Sequence, residues 1–103
     1  MRFSDISELA AAVRAAYGCE PRHLQSCRVR ERFAERIAWQ GIVEVFELVD
    51  CPEARQCYAW SSREDGRVRI TTVLKAPPVD SPEAAVRAIV AAHPRSRRGR
   101  VQL

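Results

Sequence analysis

The sequence predicts an α+β domain in which an N-terminal helix, an antiparallel sheet of three to four strands and a C-terminal helix follow one another, with both helices on one face of the sheet. Three observations predict it. Apolar residues recur at helical spacing near both ends of the chain. They alternate with polar ones through the middle. An Asp65-Gly66 pair between two alternating runs is the strongest short hairpin signal available.

The first helix is read from Ile6, Leu9, Ala10, Val13 and Tyr17, which share one helical face. Ser4 or Asp5 caps it, and Asp5 with Glu8 makes a capping box. Gly18 stops it, with Pro21 just beyond. Its stripe is rich in alanine, so it can lie close to whatever it packs on.

From Gln25 to Phe33 the chain alternates, with Cys27, Val29, Glu31 and Phe33 on one side and Arg28, Arg30 and Arg32 on the other, which is the two-residue period of a strand. Ala34-Glu35-Arg36 connects it to a longer strand, Ile37 to Val49, with Ile37, Trp39, Val43 and Val45 on one face. Alternation blurs around Gly41 and between Glu44 and Glu47, which predicts a bulge that switches faces. Asp50-Cys51-Pro52-Glu53 is a turn, because Pro52 cannot pair within a central strand. Gln56 to Ser62 and Val68 to Lys75 are the two strands of the Asp-Gly hairpin.

Ala76 to Asp80 is an extended connector. Ser81 then caps a helix with Pro82 at its first position and Glu83 at the positive end of the dipole. Ala85, Val86, Ile89 and Val90 form its buried stripe, and Pro94 ends it. Residues 1–94 form the domain, and residues 95–103 read as a basic, mobile C-terminal tail.

A chain of 103 residues, 47% of them hydrophobic, supports one domain with a core of its own. No apolar run approaches the roughly 18 residues that cross a bilayer. The first apolar run is interrupted by Asp5, Glu8 and Arg14, unlike an export signal, so the expected location is the cytoplasm. Cys19, Cys27, Cys51 and Cys57 are then expected to be free thiols.

The net charge of +4 is carried by four tail arginines, Arg95, Arg97, Arg98 and Arg100; residues 1–94 hold 13 basic and 13 acidic side chains. The tail, the bland reading of which is a solubilising arm, is the part suited to weak, salt-dependent phosphate binding.

Catalytic chemistry is hard to assemble. Gly18, Gly41, Gly66 and Gly99 are scattered, so no phosphate-cradling loop is formed. His23 and His93 stand beside no nucleophile in a known motif, and Glu44 and Glu47 point to opposite faces of a regular strand, toward solvent. The expectation is a protein that is not an enzyme and needs no cofactor. Cys19, His23 and Cys27 recur every four residues and could ligate zinc along a helix with Cys51 or Cys57 as the fourth ligand, but Gly18 and Pro21 break such a helix. Thiols buried as small hydrophobes are the favoured reading.

If Arg28, Arg30, Arg32, Arg69 and Lys75 share the open sheet face with Tyr58 and Trp60, basic side chains interleaved with aromatics are an arrangement that holds single-stranded nucleic acid. The favoured alternative turns Tyr58 and Trp60 inward, since two alanine-rich helices leave space that large sheet residues fill.

The order of helix, antiparallel strands and helix resembles the double-stranded-RNA-binding domain, whose second helix opens with phosphate-gripping lysines. Here that helix opens Ser81-Pro82-Glu83-Ala84-Ala85-Val86-Arg87, so the resemblance is one of topology and brings no RNA-binding residues with it. The sequence thus points to a binding or adaptor module. Its partner is a protein, a second copy or, alternatively, nucleic acid, with no membrane involved, met on an open sheet face through Arg28, Arg30, Arg32 and Arg69.

Overall fold

A computed structural model of the chain describes residues 5–92, apart from the side chains of Phe33, Glu64 and Ala92. The elements follow in the predicted order: α1 (Ile6–Tyr17), β1 (Glu20–Phe33), β2 (Arg36–Val49), β3 (Gln56–Glu64), β4 (Arg67–Leu74) and α2 (Pro82–Ala92). The four strands form one antiparallel sheet in sequence order. No helix among the described residues is long and apolar enough to cross a membrane.

Local chemistry sets the helix ends as read. Asp5 accepts from the Glu8 amide at 2.9 Å while Glu8 accepts from the Asp5 amide at 3.2 Å, satisfying two donors that a helix start leaves unpaired. Gly18 takes a left-handed conformation (φ +70°), and its N–H closes on the Arg14 carbonyl at 2.8 Å. The Ser81 hydroxyl accepts from the Ala84 amide at 3.1 Å, and Glu83 lies in the first turn of α2.

Two hairpins build the sheet. Between β3 and β4, Asp65 and Gly66 both take positive φ, as a two-residue turn of this hand requires. The β1–β2 turn does the same with Ala34 (φ +53°) and Glu35 (φ +64°), residues for which that region is sterically costly. The strand β1 starts five residues earlier than the alternation indicates, at Glu20. Pro21 is tolerated because β1 is an edge strand.

The register assigns each residue a face. On β2, Phe46 and Leu48 belong to a core cluster with Leu9 and Val13 of α1 and with Cys57 and Ala59 of β3. The alternate residues Val43 and Val45 belong to a second cluster with Ala85 and Val86 of α2 and with Val29, Tyr58 and Trp60. Neighbours on one strand point to opposite sides, so α1 and α2 cover opposite faces. This corrects the expectation that both helices share a face.

The reason is visible in β2 itself. Its middle, Val43-Glu44-Val45-Phe46, is buried on both sides, and a strand buried on both faces loses its alternation without any bulge. Pairing runs without a shift from Gln25↔Val45 to Glu31↔Trp39, straight past Gly41. One irregularity falls within the predicted span, opposite Val45 and Phe46, but its extra residue is Leu24 on β1; the other is at Ala38 on β2, and none is at Gly41. Gly41 leaves space for the Trp39 ring, which lies where a Cβ would come within 2.9 Å of it.

The β2–β3 pairing between the two hairpins runs from Glu44↔Ala59 to Glu47↔Gln56. Beyond Glu44 the β1–β2 arm, and beyond Ala59 the β3–β4 arm, run on as separate two-stranded ribbons. Trp39 of one and Trp60 of the other meet at 5.7 Å between ring centroids on the α2 side.

Candidate functional site

The α1 face divides along its length. Twelve residues of α1 span about 18 Å, whereas the fourteen of β2 span about 46 Å. The helix packs over the end of the sheet formed by Cys19, Phe46, Leu48, Cys57 and Leu74, where the Tyr17 hydroxyl donates to Thr72 Oγ1 at 2.9 Å. Toward the hairpin tips none of the described helices lies over the same face.

On that uncovered part the register gathers Arg28, Arg30 and Arg32 of β1, Ile37, Gln40 and Ile42 of β2, and Val68 and Ile70 of β4. Ile37 is 49% exposed, Ile42 41%, Val68 45% and Ile70 37%; the remaining exposed large hydrophobic among the described residues, Leu24, sits at a bulge. The four aliphatic side chains fall in two pairs turned to the same side of the sheet, Ile37 and Ile42 on the β1–β2 ribbon and Val68 and Ile70 on the β3–β4 ribbon.

The three arginines have no acidic partner among the described residues. Elsewhere Arg14 is matched to Glu20 at 3.0 Å, Arg22 to Glu47 at 3.5 Å and Arg87 to Glu31 at 3.1 Å, while Arg36, Arg55 and Arg67 also lack an acidic partner among the described residues. The positive charge of this face is therefore uncompensated within the described domain, although residues 1–94 balance overall.

Several sequence-based candidates fall elsewhere. Arg69 pairs in register with Ser62 and lies on the α2 face, so it does not join the other three. Tyr58 and Trp60 are buried under α2, which is the packing position the alanine-rich helices favoured. Arg95, Arg97, Arg98, Arg100 and His93 lie outside the described residues.

The zinc spacing Cys19, His23, Cys27 does not converge, because this stretch is strand. Cys19 joins the α1-side cluster while Cys27 packs against the α2-side one. All four cysteines are free thiols. Cys19 instead meets Cys51 and Glu53, and the ligating atoms of the three lie within 4.8 Å of one another. The hydrogen bond with Cys51, with burial second, pushes the Cys19 thiol up to about 11, and burial pushes Cys57 up to about 12.

Glu44 was expected on a solvated face and is 3% exposed. Its Oε1 accepts from the Ser26 hydroxyl at 2.5 Å and faces His23 Nε2 at 2.8 Å, with the imidazole edge-on to Phe46. The group contains a hydroxyl, a carboxylate and an imidazole, but the carboxylate stands in the middle and the imidazole does not reach the hydroxyl. His23 is thus in no position to take a proton from Ser26, and the arrangement ties down one buried acid. Ser26 lies directly across from Glu44 in the register; a lone acid in the apolar run Ile42–Phe46 was the signal available in the sequence.

No family model, curated protein or solved structure matches this chain.

Proposed function

We propose that the protein is a binding module whose uncovered sheet face docks an acidic protein partner that presents aliphatic side chains between its carboxylates. The observation that carries this reading is the coincidence, on one face, of four exposed aliphatic residues with three arginines that lack acidic partners. Apolar surface supplies the driving force, and uncompensated charge selects the sign of the partner.

The same face argues against single-stranded nucleic acid. Bases are held by stacking on aromatic rings, and Trp39, Tyr58 and Trp60 are gathered on the opposite face under α2. Ile37, Ile42, Val68 and Ile70 offer no such platform. Self-pairing through this face is disfavoured as well, since it would bring two sets of Arg28, Arg30 and Arg32 together.

Selection of the full-length protein against a displayed library of random peptides tests the proposal. The expected binders intersperse Asp or Glu with Val, Ile or Leu, and lose binding to an Ile42→Ser, Ile70→Ser variant whose fold is intact by circular dichroism. Binders that hold that variant as tightly as the parent would sink the assignment. So would salt-sensitive binding of a mixed oligonucleotide by a chain cut after Pro94, lost on Arg30→Glu.

A further inference from the structure

We propose that Cys19, Cys51 and Glu53 form a binding site for one zinc ion, with the fourth coordination position left to water. The three residues come from two separated segments. Cys19 follows the Gly18 helix stop, and Cys51 and Glu53 lie on the turn after β2. The register that pairs Glu20 with Val49 brings those segments side by side at the end of the sheet remote from the hairpin tips.

The spacing suits the ion. A Zn–S bond of about 2.3 Å and a tetrahedral angle put two ligating sulfurs about 3.8 Å apart. The three ligating atoms already lie within 4.8 Å of one another, and Cys51 Sγ is 3.4 Å from Glu53 Oε1. Closing on an ion therefore asks for side-chain shifts of about 1 Å or less, with no movement of the strands. Cys19 is held from behind, its thiol 3.5 Å from the Tyr17 carbonyl and its body in the α1-side core.

Ligand chemistry narrows the metal. Two thiolates with one carboxylate favour a borderline-soft ion of no fixed geometry, which excludes magnesium and calcium. Cys57 is not among the converging atoms, so the three protein ligands found among the described residues leave one position free. A solvent-open depression beside Cys51, lined by Arg22, Glu47, Asp50 and Arg55, opens the site to water and to an entering ion. The site lies outside the arginine face, and it stands or falls independently of the docking role.

The test is cobalt titration of the reduced, metal-free, full-length chain, followed by zinc. One equivalent of cobalt is expected to give the thiolate-to-metal charge-transfer absorption of a tetrahedral sulfur site, and one equivalent of zinc to abolish it. Cys51→Ser is expected to weaken binding by about 100-fold or more, since losing even an outer-shell partner costs up to about that much. Glu53→Gln, at an exposed position that keeps the fold, is expected to weaken it by at least about tenfold. Cys27→Ser leaves binding unchanged. A stoichiometric titration without the charge-transfer band overturns the proposal, as does a band that survives Cys51→Ser and Glu53→Gln or disappears with Cys27→Ser.

Discussion

Three residues of β2, replaced one at a time by alanine, separate a sheet covered on both faces from one covered on a single face. Val45 is buried under α2, Phe46 under α1, and Ile42 lies 41% exposed on the uncovered part of the α1 face. Val45→Ala removes two methyl groups, about 1.6 kcal/mol of transfer free energy. A residual cavity of roughly 40 Å3 adds about 1 kcal/mol, for a total of about 2.5 kcal/mol. Phe46→Ala, at a side chain only 1% exposed, falls in the range of about 3–5 kcal/mol. Ile42→Ala loses contacts that are only partly formed and costs less than about 1 kcal/mol. Urea unfolding at constant m-value reads all three. A Val45→Ala variant within about 0.5 kcal/mol of the parent would show that α2 does not cover that face, and the assignment of faces, with the docking surface derived from it, would be wrong.

Other outcomes follow from individual contacts. Replacing Ala34-Glu35 with Asn-Gly relieves two non-glycine positions at positive φ, and each change is expected to raise stability by roughly 0.5–1 kcal/mol, read as a higher Tm. Gly41→Ala drives a Cβ to 2.9 Å from the Trp39 ring, so it is expected to cost about 1–3 kcal/mol and to alter the near-ultraviolet circular dichroism of the Trp39–Trp60 pair. Cys57 holds its proton up to about 12 in the fold because it is buried, but ionises near its ordinary value of 9.0 when unfolded. Above about pH 9 the unfolded chain therefore binds fewer protons than the folded one, so stability, complete below that pH, declines as pH rises toward 12. Urea midpoints between pH 8 and pH 10.5 check the decline, and Cys57→Ala should lessen it, leaving the part contributed by the Cys19 thiol.

The parts of the fold legible in the sequence were those fixed by short-range chemistry. Asp5 with Glu8, Gly18, Ser81-Pro82 and Asp65-Gly66 each satisfy a local hydrogen-bonding or dihedral requirement, and each acts as read. The layer arrangement was not read, although its trace is present. The run from Ile42 to Leu48 is apolar apart from Glu44 and Glu47 because its middle is buried on both sides, and the same loss of alternation is what a bulge would produce. Once that run is assigned to both faces, Tyr58 and Trp60 go under α2 and Arg69 separates from Arg28, Arg30 and Arg32. The Cys19–Cys51–Glu53 group and the Ser26–Glu44–His23 group depend on cross-strand register, which no spacing along the chain encodes.

The size of the uncovered face sets the kind of complex it can make. About 28 Å of sheet length lies beyond α1, and two two-stranded ribbons of roughly 10 Å each give a surface of order 500 Å2. A stable interface buries about 800 Å2 per partner, so a partner confined to this face belongs to the weak, rapidly exchanging class. In that class the unpartnered charge on Arg28, Arg30 and Arg32 acts mainly on the encounter. Raising salt from about 50 to 500 mM shortens the Debye length from roughly 14 to 4 Å, and stopped-flow association with an acidic peptide selected as above is expected to slow while dissociation changes little. Loss of Ile42 and Ile70 should do the reverse, speeding dissociation at nearly constant association rate. If salt acted on dissociation alone, the arginines would be making short contacts inside the complex rather than steering it, and the division of labour between charge and apolar surface would have to be reversed.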